Sequence, residues 1–145
     1  MTTVLALLGM LVAGILVSLQ SPINTALAKN IGSFPSVFVS FVVGTAISGV
    51  IVAVLRNGDL VGVVRAPSWQ LLGGAFGTAF VAALVITLPL IGVTRAVLAG
   101  LLGQILAALA VDQFGWFGVD PRPLTPTRFG GVLLVAAGLY LVNRT

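Results

Sequence analysis

Residues 3–33 read TVLALLGMLVAGILVSLQSPINTALAKNIGS, a stretch free of charge until Lys29 that nevertheless places Gln20, Pro22 and Asn24 inside its apolar run. Its reading decides the fold, and that reading depends on the solvent. The chain of 145 residues holds seven Lys or Arg and three Asp or Glu, and 59% of it is hydrophobic; its mean hydropathy is +1.20. Soluble domains carry about 25% charged residues, so a chain at 7% belongs in a bilayer. Two amides and a proline in that medium are costly and require a reason.

A hydrocarbon core about 30 Å thick takes roughly 20 helical residues to cross, with about 17 as the short limit. Uncharged windows therefore convert into spans, and charges mark their ends. The expectation is an all-α membrane protein of one domain, residues 1–145, with five transmembrane helices over about 3–28, 35–55, 68–88, 94–112 and 126–143. The last two have short uncharged centres, 96–111 and 129–143, and reach spanning length when Arg95, Arg128 and Arg144 snorkel to the headgroups. Ser33, Ser68 and Thr125 are the expected N-caps, with Pro35 and Pro126 close behind the first and third. Asn57-Gly58-Asp59 and Asp120-Pro121-Arg122-Pro123 are turn-forming, and Trp69, Trp116 and Tyr140 fall near span ends, where such rings favour the interface. Ala26-Leu27-Ala28 looks like a signal-peptidase site, but no basic segment precedes the apolar run, so the segment is read as a true span.

Several function classes drop out. Zero cysteines removes thiol and disulfide chemistry, and zero histidines with three scattered aspartates leaves no metal cluster or hydrolytic constellation. No enzyme activity, metal or cofactor is expected. The net charge of +4 comes from isolated residues at span ends, so nucleic acid is not an expected partner. Asn143-Arg144-Thr145 matches a glycosylation acceptor by pattern only and, beside the membrane, is discounted.

With five spans, Arg56, Arg65, Arg122 and Arg128 lie on one side of the membrane and Lys29, Arg95 and Arg144 on the other. Orientation follows Lys and Arg asymmetry in short loops, and here the asymmetry nearly vanishes. The chain is therefore expected to insert both ways up and to pair as an antiparallel homodimer, a ten-helix inverted repeat of the kind many transporters use; a chance balance is the competing explanation.

Small residues provide packing surfaces. Ser36, Ser40, Gly44 and Ser48 recur every four positions, Gly73 and Gly77 form a GxxxG, and Ala96 and Gly100 precede Gln104 at the same spacing. Gln20 and Asn24 share one face of the first helix, and Pro22 between them removes a backbone hydrogen bond and bends the helix. Gln104 is the other large amide within a span. These three either line a polar substrate site or link helices to one another.

The segments SPINTALAKNIGSFPSVFVSFVVGT (21–45), GVTRAVLAGLLGQILAALAVDQFGWFG (92–118) and RPLTPTRFGGVLLVAAGLYLV (122–142) resemble the half-length, five-helix branch of the drug/metabolite transporter superfamily, the YdcZ-like group. The motifs that carry the resemblance are Pro22-Ile23-Asn24, Gly103-Gln104, Asp112-Gln113-Phe114-Gly115 and Arg122-Pro123-Leu124-Thr125-Pro126. It implies a multi-pass protein of the bacterial inner membrane, with relatives that work as dual-topology single genes, opposed pairs or fused repeats. The chain is also similar to the small multidrug resistance proteins, antiparallel dimers with a substrate pocket between subunits. Those carry a membrane-embedded glutamate on helix 1; this chain has Gln20 and Asn24 there and no carboxylate deep in any span.

Amides do not titrate, so proton-for-cation exchange has no group to work through. Asp112 is the nearest candidate for coupling, against capping or pairing with an arginine; Arg95 either attracts an anionic substrate group or anchors its helix end. The expectation is a small secondary transporter or facilitator of a neutral, zwitterionic or anionic solute, with Pro22 as the hinge of helix 1. A dual-topology channel and a non-transporting assembly or regulatory subunit are the alternatives.

Overall fold

The computed structural model describes residues 3–56 and 58–144. Asn57 of the expected turn and Thr145 of the acceptor pattern lie outside the described residues. Among those residues the chain is helical and has no strand. The helices are α1 (Thr3–Ile31), α2 (Ser33–Leu55), α3 (Leu72–Ile91), α4 (Val93–Phe114) and α5 (Pro126–Asn143). Short 3-10 turns cover Val61–Arg65, Ser68–Leu71 and Trp116–Gly118.

Four stretches are long and apolar enough to cross a membrane: Thr3–Ile31, Ser33–Leu55, Ser68–Ile91 and Val93–Phe114, with mean hydropathies of 2.2, 2.5, 2.1 and 1.7. α5 is outside this set. Its 18 residues rise about 1.5 Å each, just short of a core about 30 Å thick, and Arg128 and Asn143 sit near its ends.

The helices outrun several expected ends. α1 continues through Lys29 to Ile31, where a cation in the last turn complements the helix dipole. Gly32 then stops it: at φ 90° and ψ 159°, a region that favours glycine, it both donates to the Ala28 carbonyl at 2.8 Å and accepts from the Ser36 amide at 3.1 Å. One residue thus ends α1 and caps α2. Gly92, at φ 80°, precedes α4 in the same way and accepts from the Ala96 amide at 3.2 Å. Neither Ser33 nor Ser68 is an N-cap. Gly32 and Pro67 occupy those positions without a side-chain bond, and each serine is already inside its helical turn. Thr125 is the cap expected, accepting from the Arg128 amide at 3.3 Å with Pro126 behind it.

The chain divides into two compact units, Met1–Leu90 and Ile91–Thr145. In the first, α1 packs against α2, and Val37, Leu84, Val85 and Leu88 are buried. In the second, α4 packs against α5, with Ala96 and Val132 buried. Most other large apolar side chains are exposed, as expected of a chain whose solvent is lipid, where close packing and interhelical hydrogen bonds replace the hydrophobic drive. The expected small-residue surfaces are used unevenly. Ser36 is fully buried and Gly77 lies 3.9 Å from the Phe41 ring, measured from a Cβ built on it, whereas nothing approaches Gly44 or Gly73 within 4 Å. Gly100 is half-buried.

Candidate functional site

The one-residue turn at Gly32 folds α2 back along α1, so four residues backward on α1 match four forward on α2. Asn24 therefore meets Ser36, and Gln20 meets Ser40. Ser36 Oγ donates to the Asn24 carbonyl at 2.6 Å, and Gln20 Nε2 donates to Ser40 Oγ at 3.3 Å. Ser36 is 0% exposed and Asn24 5% exposed; Ser40 is half-buried and Gln20 exposed. Small side chains at 36 and 40 let two apolar helices approach closely enough for these bonds to form.

α1 is a single helix through Pro22. The proline has no N–H to give the Ser18 carbonyl, and hydroxyls occupy the backbone on either side: Ser21 Oγ donates to the Val17 carbonyl at 3.3 Å and Thr25 Oγ1 to the Ser21 carbonyl at 3.0 Å. Such back-bonding is associated with bent helices.

One polar atom at this crossing is left over. Asn24 Nδ2 is buried and has no hydrogen-bond partner among the described residues. An unsatisfied buried donor costs about 1–3 kcal/mol, and native structures hold few of them, each with a reason.

The other expected site residues lie in the second unit. Gln104 is exposed on α4, and its amide makes no hydrogen bond among the described residues. Arg95 is half-buried in the first turn of α4, where a cation opposes the helix dipole, and it has no ion pair among the described residues. Asp112 is committed. Its carboxylate accepts from Arg128 Nη2 at 2.8 Å, and its carbonyl accepts from the Arg122 amide at 2.7 Å. Gln113 Oε1 accepts from the Leu124 amide at 2.7 Å, and Arg128 Nη1 donates to the Arg122 carbonyl at 3.3 Å. The residues of the D-x-F-G and R-P-L-T-P stretches thus close a clasp between the end of α4 and the start of α5, with Phe114 and Trp116 stacked at 5.3 Å beside it.

Sequence reasoning valued Ser36 and Ser40 for packing alone and missed them as partners of the amides. The usable signal was the matched spacing, Q-x-x-x-N before a glycine turn and S-x-x-x-S after it. It also missed Gln113, whose side chain pins the loop.

The family model described as "Putative inner membrane exporter, YdcZ" matches residues 5–141. The chain belongs to that family, which makes it a multi-pass inner-membrane protein of a transporter class rather than an enzyme class. Nothing in the match extends to the small multidrug resistance proteins. No curated protein and no solved structure matches the chain.

Proposed function

We propose, from its place in the YdcZ exporter family, that this chain moves a small polar solute across the inner membrane by alternating access, as an antiparallel homodimer of five-span protomers. The observation that carries the reading is the buried, unpartnered Nδ2 of Asn24 within a hydrogen-bonded helix crossing. A crossing built only to hold α1 on α2 would be complete with the Ser36 and Ser40 bonds; the extra donor serves something that arrives. With no carboxylate deep in any span, a neutral, zwitterionic or anionic solute fits better than a cation. Gln20 and Gln104 are the further amides of the solute path, Pro22 is the hinge on which α1 pivots, and Arg95 draws an anionic group toward α4.

Two features favour the homodimer and the fifth span. Gly44 and Gly73 have open space above them among the described residues, and such positions permit close approach by another helix. α5 reaches spanning length when Arg128 and Arg144 extend to the headgroups, and a five-span chain leaves its basic residues nearly balanced across the bilayer.

A flux screen in proteoliposomes, run with and without a proton gradient, tests the transport reading. Saturable, counterflow-stimulated uptake supports it; uptake at channel rates without counterflow, or none for any polar solute, overturns it. Tags on both tails test the topology, which requires each tail to be found on both faces.

A further inference from the structure

One buried donor is left over at the α1–α2 crossing after its internal bonds form, and its chemistry points to what the crossing binds. This inference rests on the transport reading above and names the substrate class. Ser36 has spent its proton on the Asn24 carbonyl. Gln20 has spent one amide proton on Ser40 Oγ; Ser40 therefore acts as acceptor, and its own O–H has no acceptor among the described residues. Asn24 Nδ2, 95% of whose residue is buried, keeps both of its protons. One turn of α2 separates Ser36, which Asn24 faces, from Ser40. Asn24 Nδ2 and the Ser40 hydroxyl are thus donors without an acceptor on this seam, beside the second Gln20 amide proton and the Gln20 and Asn24 side-chain oxygens, and α1 and α2 carry no acidic side chain to compete for the buried one.

We propose that this seam is an acceptor-reading subsite, at which Asn24 Nδ2 and the Ser40 hydroxyl donate to the oxygens of a carboxylate on the solute. A carboxylate takes several donors at once and makes shorter, stronger bonds than a neutral oxygen. A cationic group offers no acceptor and would leave both donors unpaired. In the present conformation Nδ2 is sealed from solvent, so the carboxylate enters when α1 and α2 part. Closure over it then satisfies the donor that the empty closed seam leaves bare.

The test uses the full chain, labelled with 15N-asparagine, in nanodiscs of phosphatidylethanolamine and phosphatidylglycerol at pH 7.5. Propionate is the acceptor probe and tetramethylammonium the control at equal ionic strength. The side-chain amide signals of Asn24, assigned by their loss in Asn24→Leu, are expected to shift saturably with propionate and to stay in place with tetramethylammonium. Ser40→Ala is expected to raise the half-saturating propionate concentration several-fold, and it identifies the seam even if the Asn24 variant does not fold. Equal shifts with both salts, or exchange with water and no response to propionate, overturn the proposal; the second outcome assigns the donor to a resident water. The transport reading fails separately. Proteoliposomes that carry no solute while Asn24 still answers propionate would leave a binding site without transport, and flux without that answer would leave transport with a different substrate class.

Discussion

Where α4 gives way to α5, polar groups from both helices and the loop between them are paired into a clasp; where α1 crosses α2, a buried donor has no partner among the described residues. The first region joins a carboxylate to a guanidinium at the membrane boundary, with backbone amides and carbonyls of the connecting loop completing it. The second uses neutral amides and hydroxyls between apolar spans and stops one acceptor short. The difference teaches how to sort polar residues in a membrane chain. Charge at a helix end can be satisfied by water, headgroups or a loop, so its pairing there is about shape; a neutral donor sealed between helices has no such alternatives, so leaving it bare points to a ligand.

Substitutions can break that contrast, and their effects should descend in a definite order. Ser36→Leu puts four side-chain carbons where one carbon and one oxygen now fill a fully buried position, and is expected to cost the α1–α2 pair about 3 kcal/mol, read as reduced stability to SDS in mixed micelles. Asn24→Leu should act in the opposite direction. Exchanging a bare buried donor for an apolar side chain of similar size removes its desolvation penalty, so the same titration should show a gain of about 1–3 kcal/mol; a loss would mean that Nδ2 already has a partner. In the clasp, Thr125→Ala removes the α5 cap and should cost about 1 kcal/mol, seen as faster amide exchange in the first turn of α5. Arg128→Met breaks an ion pair whose side chains are 35% and 27% exposed, so solvent screening holds the loss to about 0.5 kcal/mol, most visible as protease access to the 113–125 loop.

Much of this was legible in the sequence because charge is so scarce. Each Lys, Arg or Asp lies near a helix end, and four spans with the start of α5 follow from that alone. The misreadings have local causes. Ser33 and Ser68 have the residue type of a cap, but a single glycine at positive φ can end one helix and begin the next, which leaves no place for a side-chain cap at Ser33. α3 runs past its expected end at 88, through Pro89 to Ile91. A bilayer offers no water to a broken helix's backbone, so the helix continues with one bond missing. Asp112 was considered for coupling, and only the fold shows how near Arg128 lies, because the pair is sixteen residues apart across a loop. Gln20 and Asn24 were found from their spacing. That one bonds a serine while the other keeps its side-chain donor free depends on the register of α2, which α1 does not encode.

Counterflow in proteoliposomes, comparing wild type with Asn24→Leu at equal protein, tests the role assigned to the bare donor most directly. The expected result is saturable exchange in the wild type and loss of exchange in a variant that is the more stable of the two. Wild-type exchange rates in Asn24→Leu would contradict it and reduce the α1–α2 seam to a helix contact.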